Sequence, residues 1–229
     1  MTAAEHTNNE SPRKGVAAIV FDLDGTLLNT LDDLADATNW ALRTNALPQR
    51  SLDEVRQFVG NGVGLLIRRA VPEGTDEALY QQVFADFRRR YVAHCQDKTC
   101  LYPGIDNMLR QLRARGYRLA IVSNKLQDGV DELYQRYFKD TVEVAVGERP
   151  GIARKPAPDM VQLALQALDI PTTQAVYVGD SDVDLATAQA SHLPCISVLW
   201  GFRDRPFLTA HGATTFAETP ADILRIITT

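Results

Sequence analysis

The sequence predicts an α/β protein whose parallel sheet is interrupted once by a helical segment. Short apolar, β-rich runs alternate with longer helical patterns over most of the 229 residues. This alternation is typical of parallel strands joined by crossover helices. Between about Leu31 and His94 the alternation stops, and only helical patterns are found. The two observations together predict one sheet with one helical insertion.

Five short runs predict the strands of the sheet. Several are apolar almost throughout, which is expected of strands covered on both faces. The predicted strands are Val16–Phe21, Arg118–Val122, Val142–Val146, Ala175–Val178 and Cys195–Leu199. The helices predicted around them are Ile105–Arg115, Gly129–Tyr137, Pro158–Leu168, Val183–Ala190 and Ala221–Ile227.

The helical insertion begins at "LDDLADATNWAL", where apolar residues recur with the period of a helix. Thr30 and Asp33 at its start resemble a capping box. Three more helices are predicted in the insertion, at Leu52–Val59, Val63–Ala70 and Asp76–His94. The Pro and Gly of "TCLYPG" predict a hinge back to the sheet.

These boundaries predict two units and a tail. Residues 15–29 and 104–229 are expected to form the α/β core, and residues 30–103 the helical unit inserted into it. Residues 1–14 are polar and lack an apolar signal-peptide core, so we expect a flexible N-terminal extension.

Composition excludes some classes of function. The formal net charge is −5, whereas general binding to nucleic acid or to an anionic membrane needs a basic surface. No apolar run approaches the roughly 18 residues that a membrane helix needs. Cys95, Cys100 and Cys195 lack metal-type spacing, which predicts reduced thiols in a cytoplasmic protein. We expect a small metabolite as partner, and either a monomer or a homodimer.

Polar side chains follow three of the predicted strands. Asp22 and Asp24 come after the first strand, Ser123 and Asn124 after the second, and Asp180 after the fourth. Ligands of parallel sheets bind at the carboxyl ends of the strands, so we expect these groups to converge. Crowded carboxylates repel one another unless a cation offsets their charge. With oxygen ligands alone, the expected cation is Mg²⁺.

The spacing of the first two aspartates suggests their chemistry. Residues two apart in an extended segment project to the same side, so Asp22 is placed to attack a phosphoryl group while Asp24 handles a proton. Lys155, in "ARKPAPD", offers a compact positive charge suited to a phosphate. Gly25 lets the backbone turn close to the substrate, and Thr26 is expected to hydrogen-bond back and steady the turn.

Four motifs carry a family resemblance. "DLDGT", "VSN", "KPAPD" and "GDSDVD", in this order, resemble the motifs of the haloacid dehalogenase superfamily of phosphotransferases. "FVGNGVGLLI", "LYPGI", "AIVSNK" and "VLWGF" resemble its phosphoglycolate-phosphatase-like branch. The resemblance implies a Rossmann-like parallel sheet core with an inserted small helical cap, which here corresponds to residues 30–103.

The resemblance also implies roles for the aspartates. Asp22 would be the nucleophile and a Mg²⁺ ligand, and Asp24 the general acid and base, with its backbone carbonyl on the metal. Asp180 would be the remaining protein ligand. Asp184 would not bind the metal itself, and would support the site by pairing with Lys155. An Asp at position 24 favours a phosphatase within the superfamily.

The phosphate-binding groups implied by the resemblance are Ser123 and Lys155, with Asn124 adjacent. Two positions depart from the family pattern. Asn29 stands where relatives often have Asp. His192 stands where they usually have Gly, and a left-handed backbone there costs a non-glycine residue on the order of 1 kcal/mol. Neither change removes a catalytic group.

The insertion contains a segment with two alternative interpretations. Asn61, Gly62 and Gly64 in "GNGVG" form either a cap loop that reads the substrate or a plain helix–turn–helix connection. Asp182 is interpreted as a first-turn helix residue stabilised by the helix dipole.

The sequence as a whole predicts a Mg²⁺-dependent phosphatase that hydrolyses a small phosphomonoester through an aspartyl-phosphate. Its substrate is open among phosphoglycolate, a sugar or polyol phosphate, a nucleotide monophosphate and pyrophosphate. Mn²⁺ shares the oxygen-ligand preference of Mg²⁺. Two alternatives remain: a phosphosugar mutase on the same scaffold, and a non-catalytic binding module. No motif residue is missing, which argues against the second.

Overall fold

A computed structural model describes residues 15–228, and the predicted extension 1–14 lies outside these residues. A six-stranded sheet, parallel throughout, forms its centre in the order β5-β4-β1-β6-β7-β8, and β2 and β3 form a separate two-stranded ribbon. The strands are β1 (Ala18–Phe21), β2 (Leu28–Asn29), β3 (Cys100–Leu101), β4 (Arg118–Leu126), β5 (Val144–Glu148), β6 (Ala175–Gly179), β7 (Cys195–Val198) and β8 (Phe216–Ala217).

All five predicted strands are found in the sheet, and β8 and the β2–β3 ribbon were not predicted. The helices are α1 (Leu31–Thr44), α2 (Leu52–Phe58), α3 (Val63–Ala70), α4 (Glu77–His94), α5 (Ile105–Ala114), α6 (Gln127–Leu133), α7 (Asp159–Leu168), α8 (Asp182–Ala190), α9 (Arg205–Ala210) and α10 (Pro220–Thr228). A π-helical turn at Tyr134–Phe138 extends α6, and α9 was not predicted. None of the helices between residues 15 and 228 is long and apolar enough to cross a bilayer.

Both faces of the sheet are covered by helices, as the apolar strands predicted. Ile19 and Phe21 of β1 are buried in a cluster with residues of α5, α6 and α10. Ala18 and Val20 point the other way, into a cluster with α7 and α8. Alternate residues of a strand face opposite sides, so one strand supplies both halves of the core.

The helices α1 to α4 form an insert with a hydrophobic cluster of their own, which includes Leu42, Val55, Ile67 and Phe87. The chain enters and leaves this insert through the β2–β3 ribbon, in which Asn29 pairs with Cys100. A buried residue of the sheet region, Phe202, also belongs to this cluster.

The predicted capping box at the start of α1 is wrong. Thr30 makes no side-chain cap bond, and the Asp33 carboxylate instead accepts hydrogen bonds from the backbone of Lys98 and Thr99, the latter at 2.8 Å. The Thr99 hydroxyl donates to the same carboxylate at 2.8 Å. A buried carboxylate is stabilised by such donors, so Asp33 fastens the returning chain beside the start of α1.

Candidate active site

The carboxyl ends of β1, β4 and β6 meet at one edge of the sheet, where the predicted site residues come together. A pocket of about 60 Å³ lies there, beneath the helical insert. The sheet side of its wall is formed by Asp22, Asp24, Ser123, Asn124, Lys125 and Lys155, and the insert side by Leu34, Val59, Gly60, Gly62, Val63 and Leu66. The predicted convergence on one pocket is therefore seen for five of the predicted residues.

Lys155 lies at the centre of a buried ionic cluster. Its ammonium donates to Asp22 Oδ1 at 2.7 Å, to Asp184 Oδ1 at 2.8 Å and to the Tyr177 hydroxyl at 3.1 Å. Burial opposes the positive charge, but the nearby charges of Asp184 and Asp22 outweigh it and hold the pKa of Lys155 well above its usual value. The predicted pairing of Asp184 with Lys155 is found.

Three buried carboxylates surround that single lysine. Asp22, Asp180 and Asp184 each offer an oxygen, and these oxygens lie within 4.8 Å of one another. Burial and the charge of Asp184 raise the pKa of Asp22 well above its usual value. The same causes raise the pKa of Asp180 to about 7. An excess of negative charge on oxygen donors fits a hard divalent cation such as Mg²⁺.

Two glycines allow the backbone to approach the Asp180 carboxylate closely. Gly25 has a φ of 89°, and a Cβ there would lie 2.5 Å from Asp180 Oδ2. A Cβ on Gly201 would collide with Asp180 as well. The amide of Phe202 donates to Asp180 Oδ2 at 2.7 Å, so this carboxylate is fixed by the backbone around it.

Thr26 was predicted to hydrogen-bond within the turn after β1, but its hydroxyl contacts the Asp180 carboxylate instead. Its hydroxyl donates to Asp180 Oδ1 at 3.2 Å, which joins the turn after β1 to the end of β6. The carbonyl of Thr26 accepts from the Trp200 indole at 3.0 Å. The hydroxyl therefore steadies the turn across the site and not within the turn itself.

Asp24 also lines the pocket and is held by a residue that the sequence analysis missed. Lys125 donates from Nζ to Asp24 Oδ1 at 3.0 Å and to the hydroxyl of Tyr91, on α4 of the insert, at 2.6 Å. Ser123 Oγ lies 3.4 Å from Asp24 Oδ2. The sequence signal for Lys125 was its position two residues after Ser123, because residues two apart in a strand point to the same side.

Burial opposes the charge of Lys125, but Asp24 and Tyr91 outweigh it and raise the pKa of Lys125. Burial also raises the pKa of Tyr91, to about 12. Lys125 is therefore an ammonium and Tyr91 a neutral phenol at neutral pH. The contact between them is a charge-assisted hydrogen bond between sheet and insert.

Asn124 lines the pocket, but its amide is engaged by the backbone of Lys155. Its Oδ1 accepts from the Lys155 amide at 2.8 Å, and its Nδ2 donates to the Lys155 carbonyl at 3.1 Å. This two-way contact places the loop that carries Lys155. A direct contact of Asn124 with phosphate stays a prediction.

The remaining residues singled out in the sequence have definite places. Asn61 lies outside this pocket and lines a neighbouring cleft with Arg203, whereas Gly62 lines the pocket. His192 has a left-handed backbone, with a φ of 56°. Asp182 is in the first turn of α8, as predicted. Asn29 accepts a hydrogen bond from the amide of Leu31 at 3.4 Å.

Comparison with known proteins identifies the family. Residues 19–198 match the haloacid dehalogenase-like hydrolases. A phosphoglycolate phosphatase of Cereibacter sphaeroides is 35% identical over 214 residues, which cover 90% of this chain and 97% of that protein. One from Pseudomonas putida is 32% identical over 212 residues, covering 90% of this chain and 75% of the other.

Solved structures agree with this match. A predicted phosphoglycolate phosphatase from Haemophilus somnus is 28% identical, covers 93% of this chain and 98% of its own, and superposes with a TM-score of 0.85. A structure from Lactobacillus delbrueckii subsp. bulgaricus, provisionally given the same name, is 34% identical, with the TM-score 0.89 and coverages of 93% and 98%. The chain belongs to the haloacid dehalogenase-like hydrolase family.

Proposed function

We propose that this chain is a Mg²⁺-dependent phosphatase that hydrolyses a small phosphomonoester through an aspartyl-phosphate. Its enzyme class, a phosphoric monoester hydrolase, follows from the family and from the relatives that match it over 90% of the chain. The observation that supports the mechanism best is the Asp22 carboxylate, which lines the pocket with Lys155 Nζ at 2.7 Å from Oδ1.

In the proposed first step, an oxygen of Asp22 attacks phosphorus and the bond to the leaving alcohol breaks. Asp24 gives its proton to the leaving oxygen. In the second step, water attacks the aspartyl-phosphate, Asp24 takes a proton from that water, and free phosphate departs. Ser123 and Lys155 hold the phosphoryl oxygens during both steps.

Mg²⁺ would be held by Asp22, Asp180 and the backbone carbonyl of Asp24. It would supply charge that screens the nucleophile and stabilises the phosphoryl group in the transition state. The fit of the donor set supports this assignment, because one lysine leaves the three buried carboxylates with excess negative charge. Asp184 would stay on Lys155 and on the backbone of Ser181, whose amide donates to Asp184 Oδ2 at 3.1 Å.

We assign residues 30–103 to a cap over the core formed by residues 15–29 and 104–229. In this proposal the cap excludes bulk water during the reaction and opens to release product. Its wall of the pocket is mostly apolar, while Lys125 and Lys155 supply positive charge from the sheet. The small volume of the pocket, about 60 Å³, suits a small ester.

The names of the relatives point to phosphoglycolate as the substrate, and a sugar or polyol phosphate is the alternative. The expected partner is a small phosphorylated metabolite. Cys95, Cys100 and Cys195 are free thiols, which supports the proposed cytoplasmic location.

The experiment that tests the function is phosphate release from a panel of small phosphomonoesters with Mg²⁺, alongside EDTA and Asp22→Asn controls. We expect release that needs both the metal and Asp22, with phosphoglycolate among the best esters. Release that survives Asp22→Asn would reject the covalent mechanism. If no ester releases phosphate, the phosphosugar mutase becomes the better hypothesis, and an isomerisation assay would follow.

A further inference from the structure

The loop after β7 connects the carboxylate cluster to the helical insert through consecutive residues. The Phe202 amide donates to Asp180 Oδ2 at 2.7 Å, while the Phe202 side chain is buried in the hydrophobic cluster of the insert. Arg203 comes next and extends its guanidinium to the insert. This short segment therefore touches both the candidate metal ligand and the helices above the pocket.

Arg203 caps the carboxyl end of α2. Its guanidinium donates to the carbonyl of Arg56 at 2.8 Å, to that of Gln57 at 3.2 Å and to that of Val59 at 2.9 Å. The last carbonyls of a helix have no partner within the helix and carry partial negative charge, so a cation there is favourable.

The guanidinium is itself held in place from the sheet side. The Arg203 side chain is only 10% exposed, and its Nε lies 3.9 Å from Asp182 Oδ1. The Phe207 ring lies beneath it, with the centroid 5.4 Å from the guanidinium carbon. A guanidinium that is already held in place loses less side-chain entropy when it forms hydrogen bonds than a freely rotating one.

The helix end that Arg203 holds leads directly to the wall of the pocket. Val59, Gly60 and Gly62 line the pocket with Asp22, and each lies within four residues of the last helical residue of α2. We propose that Arg203 is a positioning residue that latches α2 to the sheet and holds residues 59–62 over the nucleophile. It touches none of the reacting atoms.

The alternative is that Arg203 only stabilises α2. Arg69 separates the two explanations, because its guanidinium donates to the Phe58 carbonyl at 3.0 Å, at the same helix end. Arg69 and Phe58 both belong to the insert. Loss of Arg69 therefore removes a comparable bond without untying the insert from the sheet.

The test compares Arg203→Met, Arg203→Lys and Arg69→Met with the wild type in KM, kcat and hydrogen exchange of the amides of residues 57–64. Without the latch, a smaller fraction of molecules holds residues 59–62 in the position that binds substrate, so Arg203→Met should raise KM about ten-fold and leave kcat within about two-fold. Exchange of these amides should become faster. Arg203→Lys should recover part of both effects, and Arg69→Met should keep the wild-type KM.

An unchanged KM and unchanged exchange in Arg203→Met would overturn the latch. An equal rise of KM in Arg69→Met would assign Arg203 a structural role only. If Arg203→Met does not fold, Arg203→Gln and Arg203→Lys decide by the same criteria. The kinetic readout rests on the proposed phosphatase; a wild type that hydrolyses no ester would reject that function, and the exchange comparison would then decide the latch alone.

Discussion

Two lysines line the pocket, and they are held in different ways. Lys155 contacts Asp22, Asp184 and Tyr177, all of them outside the insert. Lys125 contacts Asp24 of the sheet region and Tyr91 of the insert. The first lysine is placed by residues outside the insert alone, whereas the second is placed both by the sheet region and by the insert.

The difference separates two halves of the proposed catalytic machinery. The half that attacks the phosphoryl group, Asp22 beside Lys155, has its hydrogen-bond partners outside the insert. The half that moves protons, Asp24, is held by Lys125, whose other partner is Tyr91 on α4. We infer that movement of the insert breaks the hydrogen bond between Tyr91 and Lys125, the lysine that holds Asp24, and breaks no hydrogen bond between Lys155 and Asp22.

The largest expected effect tests the proton-transfer half. Asp24→Asn should lower turnover by roughly 10²–10⁴-fold, the usual range for one acid–base group. The fold should be kept, because Asn can still accept from Lys125 and Ser123. Phosphate release and thermal unfolding measure the two properties. Turnover within about ten-fold of the wild type would remove Asp24 from the mechanism.

Lys155→Met tests whether the cluster at the sheet edge depends on its one cation. Removing one partner of a buried ionic cluster leaves carboxylates without compensation, which costs about 3–5 kcal/mol of the free energy of unfolding. Urea denaturation in EDTA measures the loss. Lys125→Met is the matched control and should lose less, since the Asp24 side chain is 17% exposed and the Asp184 side chain 1%. Equal losses would contradict the distinction between the two lysines.

The pH dependence of the free energy of unfolding tests the carboxylates of the same cluster. The pKa of Asp180 is about 7 in the folded protein, against 3.8 for an ordinary Asp. Between these values the folded protein binds more protons than the unfolded one, so its stability falls as pH rises, by a few kcal/mol at most.

Urea denaturation of the EDTA-treated protein between about pH 4 and about pH 7 measures this fall. Asp180→Asn has no such proton to lose, so its profile should be flatter. Excess Mg²⁺ should reduce the fall in the wild type, since ligands of the folded state stabilise it. A wild-type profile parallel to that of Asp180→Asn would contradict the raised pKa.

The smallest expected effect concerns the contact between the insert and the Lys125 corner. Tyr91→Phe removes the hydroxyl that accepts from Lys125 and should lower kcat/KM by roughly five-fold, which corresponds to about 1 kcal/mol. Tyr80→Phe is the control, because the Tyr80 hydroxyl donates to the Gly64 carbonyl at 3.1 Å within the insert. Equal effects of the two changes would show that Tyr91 acts on the insert alone.

The sheet was largely predictable because its strands are buried on both faces and therefore apolar in sequence. The β2–β3 ribbon and β8 have only two residues each, which is too short for any periodicity. The error at Thr30 and Asp33 has another cause. A local pattern suggested a helix cap, but contacts with Lys98 and Thr99, far along the chain, take the carboxylate.

For the site, the sequence predicted that groups at strand ends converge, and Asp22, Asp24, Ser123 and Asn124 do line one pocket, because parallel strands bring their carboxyl ends together. Their catalytic roles stay predictions. Lys125 was missed since a lysine alone most often indicates a solvated surface, and its partner Tyr91 lies on a distant helix. The contacts of Arg203 could not be predicted either, because its partners are backbone carbonyls, which every residue has.

The ribbon of β2 and β3 has a consequence for how such a protein diverges. The two segments that connect the sheet to the insert pair with each other as antiparallel strands, with Asn29 opposite Cys100. A segment whose ends lie side by side can be exchanged for one of another length without moving a strand of the sheet. Under this arrangement a new insert can join the sheet while the carboxylate cluster stays in place, but it must also replace the Tyr91 hydroxyl at Lys125 and the carbonyls that Arg203 binds.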